Sequence, residues 1–237
     1  MSGLIPVSQA LDAIFALVSP TDTEDVRIEN AHARVLARPM QATRAQPPFA
    51  SSAMDGYAVR STDVVAGVTL RLVGESAAGH GFDGIVGPGE AARIFTGAPV
   101  PDGADRVIIQ ENTTRDGDSV ALSEVPNDGG NIRPAGSDFN IGDKIEAPRR
   151  LNARDLALLA SMNHPTVPVH RKPIVAIIAT GDELVMPGDC PSSDQIIASN
   201  NFGLKALCEA EGSDARLLPI ARDNPDSLST VLGLAAG

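Results

Sequence analysis

Acidic side chains at the ends of apolar runs are the groups in this chain best placed to do chemistry. Glu183 closes Ala179-Thr180-Gly181-Asp182-Glu183, which follows directly on the apolar run 174–179. Asp223 lies in Arg222-Asp223-Asn224-Pro225, just after a second apolar run, 217–220. Spacing alone sets both acids at the carboxyl ends of parallel strands, where open α/β sheets bind their ligands. Two such carboxylates can ligate a hard divalent cation or orient its waters, and the cation then recruits phosphate or an oxyanion. The plain alternative is a pair of solvated strand-end charges. Acidic strand ends alone also fit a generic metal-dependent phosphohydrolase.

A third acid, Asp55, sits in Pro47-Pro48-Phe49-Ala50-Ser51-Ser52-Ala53-Met54-Asp55-Gly56-Tyr57-Ala58-Val59-Arg60. Consecutive prolines stiffen the approach and exclude helix. Ser51-Ser52-Ala53 are small enough to let backbone pack closely or approach a ligand. Asp55-Gly56 is a turn dipeptide, and a strand is predicted to start at Tyr57, the single tyrosine of the chain. Asp55 is then either a turn former bonded to its own backbone or a carboxylate held rigidly for catalysis or metal binding. Thr96 ends another strand just before Gly97, where its hydroxyl serves local backbone or function.

The elements that must position these groups follow from periodicity. Leu11, Ile14, Phe15 and Val18 form an apolar stripe on a helix over 8–18 with Ser8 as N-cap, read as core or a subunit interface. A shorter helix is predicted over 30–37, stopped by Pro39. Residues 63–127 alternate short strands (68–73, 91–95, 106–110, 119–123) with turns, which reads as a β-rich, partly closed barrel. The glycines of 79–84 and 87–89 are plain turns, fitting neither a P-loop nor a dinucleotide fingerprint. An irregular return covers 127–150, and Asn152 caps a helix turning Leu156, Leu159 and Ala160 inward. From 174 the order is β-α-β-α, the grammar of a doubly wound sheet, with Ser199 or Asn200 capping the first helix and Gly212 ending it.

Composition excludes some functions. The 237 residues carry 19 basic and 30 acidic side chains, a net charge of −11, which argues against a sequence-independent nucleic-acid binder. No apolar run approaches the roughly 20 residues that span a bilayer, and no secretory signal is expected. Cys190 and Cys208 are too few and too isolated for a disulfide framework or zinc site. Cytoplasm is the expected location.

Taken whole, the run 47–60 resembles the signature of the molybdopterin molybdenumtransferase family, which includes the C-terminal domain of gephyrin. The resemblance continues in Arg93-Ile94-Phe95-Thr96-Gly97-Ala98-Pro99-Val100-Pro101 and in Ala179–Leu184. It implies a magnesium-dependent enzyme that inserts molybdate into adenylylated molybdopterin and releases AMP. It implies a discontinuous helical linker domain (1–45 and 139–170), an inserted β-rich domain (46–138) and the first part of an α/β molybdopterin-binding domain (171–237). An elongated homodimer whose active site draws on both copies is implied too, with other cofactor-biosynthesis proteins as partners. Functional positions of the family fall on Asp55, Thr96, Asp138, Glu183 and Asp223, the last two as the bet for metal ligation. Ser52, Thr180, Gly181, Asp182, Ser199 and Asn200 are expected to bind substrate. The family commonly has Gly-Glu-Asp where this chain has Gly136-Ser137-Asp138, so the acidic neighbour of Asp138 is missing. The family is also longer: a strand, a glycine- and serine-rich phosphate loop and a C-terminal β domain follow. A non-catalytic dimerisation or scaffold module is therefore the competing reading.

Overall fold

A computed structural model describes residues 4–124 and 130–236. The first positions of the irregular return, 127–129, lie outside the described residues. The chain divides into two compact units, Met40–Ile145 with Leu158–His164, and Met1–Pro39 with Glu146–Ala157 and Pro165–Gly237. Among the described residues the α-helices are α1 (Val7–Ala16), α2 (Ala153–Ser161), α3 (Asn200–Ala210) and α4 (Pro225–Ala236), and strands predominate. Among the described residues no helix is long and apolar enough to cross a membrane.

The unit around Met40–Ile145 is built on a six-stranded sheet in the order Arg106–Ile109, Gly56–Val59, Glu90–Ile94, Thr69–Ser76, Ser119–Leu122, Thr113–Asp116. All neighbours are antiparallel except Thr69–Ser76 with Glu90–Ile94, whose ladder shifts register between Leu72 and Gly74. The two edge strands are joined by a 3-10 turn, Gln110–Asn112. Laid flat, six strands would separate those edges by about 24 Å, beyond the roughly 14 Å that four residues can reach. The sheet must therefore curl, and the expected partly closed barrel is found as this curled sheet. The four predicted strands appear within a few residues of their expected bounds.

Gly56–Val59 is buried on both faces. Tyr57 and Val59 enter one apolar cluster with Leu70, Ile108 and Val120, whereas Ala58 enters a second with Ile94 and Val107. This is the two-residue alternation of a strand, with both sides covered. Gly56 marks its start for a steric reason: a Cβ there would lie 1.9 Å from the Ile108 carbonyl oxygen.

In the other unit the segments of the expected helical linker hold a small antiparallel sheet besides α1 and the start of α2. Its order is Thr23–Arg27, Thr166–His170, Val35–Leu36, Arg149–Arg150. The helix expected over 30–37 is replaced by a 3-10 turn at Ile28–Asn30 and the strand Val35–Leu36. Eight residues cannot sustain a helix alone, and pairing of Leu36 with Arg149 and Val169 captures the segment as strand. The first helix does form, but with Pro6 rather than Ser8 at its N-cap and with none of its residues buried. In α2, Leu159 is buried as expected, Leu156 is half-buried and Ala160 is exposed.

Residues 174–236 follow the predicted grammar. Ile174–Ile177 pairs in parallel with Asp214–Leu217, and α3 forms the crossover. The second strand lies three residues earlier than the apolar run 217–220 suggested. Pro219 has no N–H to give a ladder, and Asp214–Leu217 shows the alternation, Ala215 buried between exposed Asp214 and Arg216. Ile174 is 61% exposed, so the strand expected to be covered on both faces is covered only near Ile177. Gly212 ends α3 at φ 96°.

Candidate functional site

In the curled-sheet unit, three segments run side by side. Ser51–Ser52 pairs antiparallel with Ile132–Arg133, and on its other side Ser52 exchanges main-chain bonds with Gly97 and Ala98, at 2.8 and 2.9 Å. The loop that follows, Ala53–Asp55, is shaped by Ser52, whose hydroxyl donates to the Met54 carbonyl at 2.6 Å. Ser52 is buried and its hydroxyl is spent on that turn.

Asp55 emerges beside Thr96. The Thr96 N–H donates to Asp55 Oδ1 at 2.8 Å, and the Thr96 hydroxyl donates to the same oxygen at 2.7 Å. The backbone bond, the hydroxyl bond and then the Arg93 guanidinium hold the Asp55 carboxyl below the usual carboxylate range. Asp55 therefore bonds across to another strand end, 41 residues away, rather than to its own turn. The Thr96 hydroxyl likewise faces Asp55 rather than local backbone.

Asp138 is exposed and forms an ion pair with Arg133 at 2.6 Å. Since Arg133 lies opposite Ser51, Asp138 is tied to the strand flanking the signature.

Arg93 was not singled out from sequence. Its guanidinium lies 5.1 Å from the Tyr57 ring centroid and 4.7 Å from that of Phe95. It donates to the Gly56 carbonyl at 3.2 Å and to Gln110 Oε1 at 2.7 Å. A cation between the apolar Ala91-Ala92 and Ile94-Phe95, in a strand opposite the single tyrosine, is the signal that could have found it.

In the other unit, the two strand-end loops lie together. Thr180 bridges Ala221 in parallel, Gly181 N–H donates to the Ala221 carbonyl at 3.1 Å, and Asp223 N–H donates to Asp182 Oδ1 at 3.2 Å. Gly181 takes φ 147°, and a Cβ on it would meet Glu183 Oε2 at 2.3 Å, so the Glu183 carboxylate folds back over this glycine. Thr180, Arg222, Asp223 and Asn224 line a crevice of about 430 Å³ that Pro225 and Leu228 of α4 complete. A second crevice, about 460 Å³, is lined by Thr180, Leu184, Ser199, Asn200 and Asn201 among others. Ser199 occupies the N-cap position of α3 without a side-chain cap bond, and Asn201 is buried with its Oδ1 unpartnered.

The structure thus pairs Asp55 with Thr96, and brings Thr180, Gly181 and Asp182 beside the 221–223 loop, with Glu183 folded over Gly181. Asp138 and Ser52 have local partners, and Ser199 and Asn200 line the second crevice. No group of three or more His, Cys, Asp or Glu that could hold a metal occurs among the described residues. Glu183 on one of the joined loops and Asp223 on the other are nevertheless donors of the kind that suits Mg²⁺, which binds through one or two carboxylates and completes its shell with water and substrate phosphate.

The molybdopterin molybdenumtransferase of Nostoc sp. is 38% identical over 239 residues, spanning 97% of this chain and 55% of the relative. That of Haemophilus influenzae is 40% identical over 205 residues, spanning 84% and 51%. The chain thus covers about half the length of these curated relatives. Two crystal structures of the molybdopterin biosynthesis MoeA protein from Pyrococcus horikoshii superpose with TM-scores of 0.86 and 0.76 at 31% identity, covering 99% of this chain and 61% and 63% of theirs. The family model described as the MoeA N-terminal region (domain I and II) matches residues 5–163, more than half of the chain, which therefore belongs to that family.

Proposed function

We propose that the chain serves molybdenum cofactor biosynthesis through the Mg²⁺-dependent insertion of molybdate into adenylylated molybdopterin, with release of AMP. The observation that carries this reading is the joining of the 180–183 and 222–223 loops at the carboxyl ends of two parallel strands, one loop carrying Glu183 and the other Asp223. Two relatives that match along most of this chain bear the name of that transferase, which favours this reading over a scaffold module.

Glu183 and Asp223 would hold Mg²⁺. What the ion supplies when bound is polarisation of the AMP-linked phosphate, which eases cleavage of the pyrophosphate bond. Thr180, Gly181 and Asp182 bind substrate along the same rim, with Ser199 and Asn200 on the neighbouring crevice. Asp55, kept ionised by Thr96, and Asp138, balanced by Arg133, come from the partner copy to position the oxyanion and close the site. The protein works as a homodimer in which both copies contribute to each site. The exposed stripe of α1, with Leu11 46%, Ile14 54% and Phe15 67% exposed, supplies an apolar face for that pairing.

Complementation of a strain lacking molybdate insertion tests the reading, with this chain beside a full-length relative. Rescue lost in Asp55→Ala and in Glu183→Ala, with circular dichroism unchanged, supports it. Loss of fold in either variant assigns that acid a structural role instead.

A further inference from the structure

We propose that Arg222 is the positioning residue of the strand-end rim: it clamps the loop that carries Glu183 against the loop that carries Asp223. The inference rests on the reading that these two acids hold the cation, and it adds a residue that the sequence did not single out. Arg222 Nη1 donates to the carbonyls of Asp182 at 3.0 Å and Leu184 at 3.1 Å, with Gly181 also in range at 3.4 Å. One cationic nitrogen thus gathers main-chain oxygens from both sides of Glu183. Converging carbonyl dipoles repel one another, and a charged donor among them turns the arrangement favourable.

The clamp is anchored at its own end. Arg222 N–H donates to Ser227 Oγ at 2.9 Å, and Ser227 N–H donates to Asn224 Oδ1 at 2.8 Å. This ties the arginine backbone to the first turn of α4. Asp223 is the next residue, and its N–H reaches back to Asp182. Arg222 therefore sets the separation of the two carboxylate-bearing loops while touching neither carboxylate itself. Gly181, at φ 147°, cannot hold the loop by its own backbone preference. The shape of the loop comes from outside, and the arginine supplies it.

The test uses the 237-residue chain, hydrogen exchange and Mn²⁺ as a spectroscopic probe for the hard cation. Removing charge-assisted bonds from a local loop should speed exchange of the amides in 180–185 about tenfold in Arg222→Ala. Mn²⁺ affinity should fall roughly tenfold or more, the usual cost of losing a group that orients metal ligands. Arg222→Lys, which keeps the charge but not the planar fork, should fall between wild type and Arg222→Ala on both readouts. Unchanged exchange in Arg222→Ala overturns the clamp. Faster exchange with wild-type Mn²⁺ affinity overturns its role toward the cation. Glu183→Gln and Asp223→Asn report on the underlying reading: both should lose Mn²⁺ with exchange at wild-type rates. If both keep wild-type affinity, the metal assignment fails and the positioning role fails with it.

Discussion

Asp55 and Thr96 show how a carboxylate is kept charged at a surface: two donors from one residue converge on one oxygen. Its pKa lies below the ordinary value, so the bonds exist in full at neutral pH and are lost only as pH falls through that lowered pKa. Thr96→Val removes the hydroxyl and keeps the backbone N–H. It should raise the Asp55 pKa toward, but not to, the ordinary value, as read by carboxyl carbon NMR titration. An unshifted Asp55 would mean that the hydroxyl bond contributes nothing. Gly56 offers a second test at this scale. In Gly56→Ala the new methyl would meet the Ile108 carbonyl at 1.9 Å, a backbone atom that cannot step aside. The variant should lose about 3 kcal/mol or more in chemical denaturation, whereas Gly79→Ala, with open space around it, meets only the strain of its positive φ.

At the scale of elements, α2 is held by a reciprocal cap. Asn152 Oδ1 accepts from the N–H groups of Arg154 and Asp155 at 2.8 and 3.1 Å, and Asp155 Oδ2 accepts from Asn152 N–H at 3.0 Å. Burial pushes the Asp155 carboxyl up, but the Asn152 N–H and the Arg149 guanidinium at 2.8 Å outweigh it and leave the pKa lowered. Asn152→Ala should cost about 1 kcal/mol of stability, measured by urea denaturation. This helix was legible because its cap lies in the sequence as a side chain. The helix expected over 30–37 failed because its fate is decided by Arg149 and Val169, more than a hundred residues away. Likewise the second parallel strand was misplaced because hydrophobicity peaks at 217–220 while the ladder begins at Asp214. Local apolar content is a poor guide where partners at long range choose the register.

For the whole molecule, the acids were legible because strand ends and turn dipeptides are local patterns. The arginines that hold them were not, since Arg93 and Arg222 act through partners scattered along the chain. The exposed stripe of α1 was also legible, though as core or interface without a choice between them; burial excludes core within one chain. Under the proposed pairing, Phe15→Glu with Leu11→Asp should shift the protein from dimer to monomer in sedimentation velocity while leaving secondary structure intact, and an unchanged sedimentation coefficient would contradict that pairing. The proposed function has Asp55 of one copy and Glu183 of its partner copy serve a single reaction. AMP release from adenylylated molybdopterin in the presence of molybdate and Mg²⁺ measures it directly, in Asp55→Asn, Glu183→Gln and the double variant. Groups that act as one unit are not additive, so each single variant should lose nearly all activity and the double should be no slower. A single variant that releases AMP at the wild-type rate, with its fold intact, would contradict the account.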